Sequence, residues 1–210
     1  MSPAVIDYFL SALTTLMVTV DPPGLAPIFL SLTLGMTRPE RRSVAVRATL
    51  IAGLIMLGFA FFGAPVLGAL GIGFPAFRIA GGLLLFWIAF EMIFELRGRR
   101  KNNVARTAID EDHIRNIAAF PLAIPLMAGP GTITATMLIA GTARGDSLKL
   151  GALVGVIVLV SISCLAVFVV AERLSKMLGV TGNLVLTRLL GVILAALAVQ
   201  FVIDGVKAIL

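Results

Sequence analysis

The sequence predicts an all-α integral membrane protein in which six transmembrane helices form two inverted three-helix repeats. Three observations support this prediction: the composition is that of a membrane protein, six long apolar stretches follow one another, and a Pro-Gly phrase occurs twice within them. Hydrophobic residues make up 59% of the chain, charged residues make up 13%, and the mean hydropathy is +1.07. These values lie outside the range of soluble domains. The whole chain, residues 1–210, is therefore expected to be a single membrane domain.

Six apolar stretches are long enough to cross a bilayer, which takes about 20 residues of α-helix. They are Tyr8–Leu34, Val44–Leu70, Ala76–Leu96, Ile117–Gly141, Leu148–Ala171 and Leu184–Ala208. No Lys or Arg precedes the first stretch, and it is too long for the apolar region of a cleaved signal peptide. We interpret it as a permanent helix.

The first and fourth stretches are each interrupted by proline and glycine near their midpoints. The interruptions are Asp21-Pro22-Pro23-Gly24 and Ala128-Gly129-Pro130-Gly131, in which the Pro-Gly pair recurs after 107 residues. Proline lacks an N–H donor and clashes with the preceding turn, and glycine weakens a helix further. The first and fourth helices are therefore predicted to be discontinuous, with the freed backbone groups facing protein, water or a ligand.

The repetition extends beyond the two breaks. Leu70-Gly71-Ile72 returns as Leu178-Gly179-Val180, and Arg78-Ile79-Ala80-Gly81 returns as Arg188-Leu189-Leu190-Gly191. We interpret residues 1–97 and 117–210 as two copies of one three-helix unit, joined by a connecting loop at 98–116. Because each copy has an odd number of spans, the second copy enters the membrane from the opposite side, so the repeats are inverted.

The basic residues predict the orientation, because Lys and Arg near helix ends stay on the cytoplasmic side. Thirteen of the 17 lie in or beside the first, third and fifth connections, including the run Arg97–Lys101, and four lie on the other side. Both termini are thus predicted to be periplasmic. Topology and attraction to anionic membrane lipids explain the net charge of +6, so no nucleic-acid partner is expected.

The connecting loop at 98–116 is interpreted as a cytoplasmic, solvated hinge. Its acidic residues and the single histidine, His113, lack metal-ligand spacing, so no metal is expected. The only cysteine, Cys164, lies within the fifth stretch and is interpreted as a packing residue. Because no nucleophile, base and orienting group occur together, the protein is predicted not to be an enzyme and to need no cofactor.

The two breaks form the predicted substrate site. A helix interrupted near the bilayer midplane presents free N–H groups on one half and free carbonyls on the other. A small zwitterion fits this field, with its carboxylate at the N–H groups and its ammonium near Asp21 or the carbonyls. The candidate residues are Thr19, Asp21, Pro22, Pro23, Gly24, Ala128, Gly129, Pro130, Gly131 and Thr132.

Each candidate also has a structural interpretation. A single proline or glycine in a membrane helix is often a kink or a packing notch. Asp21 would cap the following half-helix, contact the substrate, or do both. The hydroxyls of Thr19 and Thr132 would reach the substrate or bond to their own helix.

Glu91 lies in the third stretch, and two roles are open for it. An intramembrane carboxylate is a candidate for a proton relay. We prefer an ion pair with Arg47, near the start of the second stretch, because the expected depths of the two residues are close. The pair would be structural or would take part in coupling to an ion or a proton.

The two break segments resemble the signature sequences of the MarC family of bacterial inner-membrane proteins. The similarity lies in residues 21–29 and 121–133, with further support at 77–82 and 186–191, and it extends over the whole chain. It implies six helices in two inverted repeats with discontinuous first and fourth helices. Because the archaeal SnatA-type relatives transport small neutral amino acids, it also implies glycine- or alanine-class substrates and coupling to an ion or a proton.

The residues and the resemblance together predict a secondary transporter for small neutral amino acids that works by alternating access in the inner membrane. Two alternatives are retained. An exporter of another small polar metabolite or drug would have a much larger apolar cavity. An intramembrane enzyme such as an isoprenoid phosphatase would need Arg, Ser and acidic residues clustered at the breaks, where the sequence has only Asp21.

Overall fold

The computed structural model of the protein describes residues 3–110, 117–143 and 145–210, and most of them are helical. The elements are α1 Pro3–Val20, α2 Pro22–Leu32, α3 Arg38–Ala69, α4 Phe74–Ile93, α5 Leu96–Asp110, a π-helical segment Ala118–Met127, α6 Pro130–Thr142, α7 Ser147–Val169 and α8 Ala171–Lys207. These described ranges contain no β-strand. The predicted all-α class is confirmed.

The helices are long and apolar enough to cross a membrane five or six times. Five candidate spans are Pro3–Leu32, Arg38–Ala69, Phe74–Ile93, Ser147–Val169 and Thr181–Lys207. The π-helical segment and α6 meet at an angle of 59° and make a sixth span if they are counted together. The six regions overlap the six predicted apolar stretches, so the prediction of a multi-pass membrane protein is confirmed.

The outer surface of the helices carries many large apolar side chains. Leu54 and Phe62 of α3, Leu83 of α4 and Leu189 of α8 are each more than half exposed. In water such a surface would cause association, but hydrocarbon chains cover it in a bilayer. The inner surfaces bring α7 against α1 and α3, and Phe29 of α2 stacks on Phe168 of α7 with ring centroids 4.6 Å apart.

Glycines allow α4 and α8 to pack closely along their length. A Cβ atom on Gly82 would lie 2.8 Å from the carbonyl oxygen of Ala198. On Gly191 a Cβ would lie 3.2 Å from the carbonyl oxygen of Ala89. Any larger residue would separate the two backbones, as expected where small residues form a membrane helix interface.

The connection after α4 differs from the predicted solvated loop. Residues 96–110 form α5, in which Arg97 and Lys101 are only 6% and 7% exposed. The interpretation of these two residues as surface charges is wrong, because α5 folds back and places them against the break between α1 and α2. Two of the three acidic residues of this connection, Glu111 and Asp112, and its histidine, His113, lie outside the described residues.

Candidate functional site

The first break is formed by a single residue, Asp21, between the end of α1 and the start of α2. Its dihedral angles, φ 58° and ψ 64°, are left-handed, a conformation that Asp and Asn tolerate better than most residues. The side chain turns back, and its Oδ1 atom accepts a hydrogen bond from the backbone N–H of Gly24 at 3.1 Å. Asp21 therefore caps α2, which is one of the two roles that the sequence left open.

The prolines that follow Asp21 leave carbonyl groups of α1 without helical donors. Pro22 and Pro23 have no N–H, so the carbonyls of Val18 and Thr19 cannot bond to the residues four positions later. The guanidinium of Arg97 donates a hydrogen bond to the Thr19 carbonyl. The basic side chain from α5 thus completes the end of α1.

Threonine hydroxyls near both breaks donate to backbone carbonyls of their own helices. The Thr19 hydroxyl donates to the carbonyl of Thr15 at 2.7 Å and is fully committed to α1. At the second break, the hydroxyl of Thr136 donates to the carbonyl of Thr132 at 2.7 Å. The Thr19 hydroxyl therefore has no further proton to donate to a substrate.

Lys101 approaches the same break from the next turn of α5. Its Nζ atom lies 3.7 Å from Oδ2 of Asp21, which is an ion pair but is too long for a strong hydrogen bond. Burial is the main reason that the pKa of Lys101 is lowered to about 7, Arg97 lowers it further, and Asp21 opposes both effects. The first break therefore contains one buried carboxylate and two buried cationic side chains.

The second break lies between the π-helical segment and α6. Gly129 precedes α6 in an extended conformation, and none of the described side chains caps this helix. A Cβ atom on Gly129 would lie 2.4 Å from the carbonyl oxygen of Pro125, so a larger residue would force the backbone apart. On Gly131 a Cβ would lie 2.1 Å from the Cδ1 atom of Ile88. Backbone packing thus requires glycine at 129, whereas at 131 the new atom would meet only the movable end of the Ile88 side chain.

A cavity adjoins each break, and α5 lies between the two cavities. The cavity at the first break has a volume of about 440 Å³ and is lined by Pro23, Ala26 and Pro27, by Gly98 and Asn102 of α5, and by residues of α4 and α8. The cavity at the second break has a volume of about 340 Å³. Its walls are Leu84, Trp87, Ile88, Arg97, Arg100, Lys101, Val104, Pro125, Leu126, Gly129, Pro130, Gly131 and Thr132.

Glu91 does not form the predicted ion pair with Arg47. Its Oε2 atom lies 3.0 Å from the guanidinium of Arg100, and Arg47 is exposed on α3. The prediction was wrong because α5 folds back along α4 and brings Arg100 to the buried carboxylate. A neighbouring carboxylate, Glu95, pairs with Arg188 of α8.

Five of the ten predicted site residues line these cavities, namely Pro23, Gly129, Pro130, Gly131 and Thr132, and three lining residues were missed. Arg97, Arg100 and Lys101 were treated as topology signals only. One signal in the sequence identifies two of them: Arg97 and Lys101 are four residues apart, so in a helix they share one face. That face contacts the Thr19 carbonyl and the Asp21 carboxylate. Both lie too far away in the sequence to be recognised from the pattern.

The sequence matches the MarC family of integral membrane proteins over residues 6–210. It is 35% identical over 206 residues to a UPF0056 membrane protein of Methanocaldococcus jannaschii, with 98% of each chain covered. It is 35% identical over 200 residues to a UPF0056 membrane protein of Archaeoglobus fulgidus, covering 95% of this chain and 92% of the relative. It is 36% identical over 193 residues to the UPF0056 membrane protein YhcE of Escherichia coli, covering 90% of this chain and 87% of the relative. No solved structure matches the chain. The chain therefore belongs to the MarC family of integral membrane proteins.

Proposed function

We propose that the protein is a secondary transporter that moves small neutral amino acids, of the glycine and alanine class, across the inner membrane by alternating access. The observation that carries this proposal is the pair of interrupted spans, each with a cavity at its break. A zwitterion needs both a donor-rich and an acceptor-rich environment in a site shielded from water. Half-helix ends supply N–H groups and carbonyls together, as they do in other secondary transporters.

The proposal includes an inverted repeat with discontinuous first and fourth spans. Two features support it. The repeated Pro-Gly pair lies in the first turn of each half-helix, with Pro23 as the second residue of α2 and Pro130 as the first residue of α6. The third helices of the two repeats, α4 and α8, pack on each other, as expected of equivalent elements beside a pseudo-two-fold axis.

The sizes of the cavities favour a small substrate. Cavities of about 340 and 440 Å³ lie at the lower end of the range for ligand pockets, roughly 300–1,000 Å³. The cavity at the second break is also lined by three cationic side chains, which favours a ligand with a carboxylate over an uncharged drug. A glycine- or alanine-sized zwitterion meets both conditions.

Coupling and orientation complete the proposal. Both termini are placed in the periplasm, as the distribution of basic residues predicts. An ion or a proton would drive transport, and buried ionisable groups such as Glu91 and the Lys101–Asp21 pair are available to bind it. Membrane lipids cover the apolar outer surface.

The test is transport by the purified protein in liposomes that contain no other protein. Liposomes preloaded with unlabelled glycine or alanine are diluted into labelled glycine, and counterflow is measured with and without a pH gradient. We expect accumulation of label above that in protein-free liposomes, and no competition by external arginine, whose side chain is cationic and much larger. Absence of counterflow with both amino acids would contradict the proposed function.

A further inference from the structure

A third cavity lies where α2, the start of α3 and the corner between α7 and α8 meet. Its volume is about 410 Å³, and it shares no lining residue with the cavities at the two breaks. α3 begins at Arg38 and α7 ends at Val169, and both residues line the cavity. The cavity therefore lies at the ends of two spans, at the depth where a bilayer has its headgroups.

Arginine side chains dominate the polar part of this third cavity. Arg38, Arg41 and Arg42 approach it from α3, and Arg173 approaches it from α8. The carboxylate that lines it is Glu172. Four positive charges thus face one negative charge around a small volume, and like charges that are close together repel one another. An anion in the cavity would balance this surplus of positive charge.

One of the four arginines is already committed to a structural role. Nη1 of Arg41 lies 2.6 Å from Oε1 of Glu172, and Nε of Arg41 donates to the carbonyl of Thr33 at 3.2 Å. This ion pair joins the start of α3 to the start of α8 and holds two sides of the cavity together. Arg38, Arg42 and Arg173 form no ion pair with the described carboxylates. Their guanidinium groups therefore remain available to a ligand.

The rest of the cavity wall is apolar and continues onto the outer surface of the protein. Phe29 and Phe168, which stack on each other, form the buried part of this wall. Val169 and Val170 form the outer part and are 64% and 43% exposed. Exposed apolar side chains at the end of a membrane span contact lipid. Unpaired cationic groups thus lie at headgroup depth beside an apolar surface, an arrangement that suits a phospholipid better than a free ion.

We propose that this cavity binds the phosphate headgroup of an anionic phospholipid, with Arg42 of α3 and Arg173 of α8 donating to the phosphate and Arg38 adding positive charge. A guanidinium presents its donors in a planar fork that matches two phosphate oxygens. Basic pockets at the ends of membrane helices bind such headgroups. A zwitterionic lipid fits less well, because the carboxylate available to its ammonium group, Glu172, is already paired with Arg41. General attraction of a basic surface for anionic lipid depends on total charge, whereas this site depends on particular arginines.

The test is equilibrium binding of radiolabelled phosphatidylglycerol to the delipidated full-length protein, immobilised on beads in a neutral detergent. Three unlabelled competitors are compared: phosphatidylglycerol, phosphatidylcholine and inorganic phosphate. We expect phosphatidylcholine to compete at least about tenfold more weakly than phosphatidylglycerol, because it carries no net charge. Inorganic phosphate should not displace the labelled lipid, because it makes no contact with the apolar wall.

Two charge-matched double variants separate a site from general attraction. Arg42→Gln combined with Arg173→Gln should weaken the binding of phosphatidylglycerol by roughly 10- to 50-fold, as expected for two basic residues that act on one headgroup. The matched control is Arg47→Gln combined with Lys176→Gln, which removes the same charge from two exposed residues that do not line the cavity. The control should bind phosphatidylglycerol within about threefold of the wild type, because neither residue contacts the headgroup.

Melting temperatures measured with and without lipid complete the test. Without lipid, both double variants should unfold at the wild-type temperature, because the four substituted side chains form no ion pair in the described part of the chain. Added phosphatidylglycerol should raise the melting temperature of the wild type and the control, and should have little effect on the cavity variant.

Two results would overturn the proposal. Equal loss of phosphatidylglycerol binding in the two double variants would show that only the total charge matters. Equal competition by phosphatidylcholine, or displacement by inorganic phosphate, would show that the cavity does not recognise an anionic lipid. The competition measurements use the wild type, so they decide this second point whether or not a variant folds.

Discussion

Arg97 donates a hydrogen bond from its guanidinium to the backbone carbonyl of Thr19, although 78 residues separate them in the chain. The acceptor is available because Pro23, which would normally supply the N–H in an unbroken helix, has none. The positive charge also lies at the carboxyl end of α1, where the helix dipole favours a cation. The carboxyl end of α1 is thus satisfied by α5, the helix that follows the third span.

Replacing Arg97 should destabilise the protein. Arg97→Met removes the donor and leaves the buried Thr19 carbonyl unsatisfied, which costs roughly 1–3 kcal/mol. The matched control is Arg173→Met, at an exposed arginine of α8. Thermal unfolding of both variants in the same detergent measures the effect. We expect a lower melting temperature for Arg97→Met alone, and equal melting temperatures would show that the bond contributes nothing.

Protein stability should fall more when residue 21 loses its side-chain acceptor than when it loses only its charge. Asn keeps an acceptor for the N–H of Gly24 and tolerates the left-handed backbone, whereas Ala does neither. We expect Asp21→Ala to lose roughly 1–3 kcal/mol from the cap and the strained backbone together. Asp21→Asn should unfold at a higher temperature than Asp21→Ala. The reverse order would show that neither the cap nor the left-handed backbone of residue 21 contributes to stability.

The orientation can be tested with single cysteines, because the native Cys164 is buried and should not react. Leu210 is fully exposed at the end of the chain, and Leu34 is 83% exposed between α2 and α3. A membrane-impermeant maleimide should label Leu210→Cys in intact cells and Leu34→Cys only after permeabilisation. The wild type serves as the unlabelled control. The opposite labelling pattern would invert the topology and leave the fold unchanged.

The spans could be predicted from the sequence because they depend on local chemistry. An apolar run of about 20 residues specifies a membrane helix in any context. Pro22 and Pro130 remove backbone donors wherever they stand. The capping role of Asp21 was foreseeable for the same reason, since it acts on a residue three positions later.

The burial of α5 could not be predicted in this way. A segment with Arg97, Arg99, Arg100 and Lys101 has the composition of a solvated connection. Its two buried cations are stabilised by acceptors in the first span, and no local pattern links the two regions. The prediction that Glu91 pairs with Arg47 was wrong for the same reason. Arg47 was chosen by its expected depth, and the fold of α5 brings Arg100 closer.

The two glycines of the second break should differ in what they tolerate. In Gly131→Ala the new Cβ would meet Cδ1 of Ile88, the end of a flexible side chain that can rotate or be shortened. In Gly129→Ala the new Cβ would meet the carbonyl oxygen of Pro125, which belongs to the backbone and cannot move alone. We therefore expect Gly129→Ala to lower the melting temperature more than Gly131→Ala. Adding Ile88→Val, which removes Cδ1, should restore stability to Gly131→Ala and should not help Gly129→Ala. Rescue of both variants, or of neither, would show that contacts other than these two determine the need for glycine.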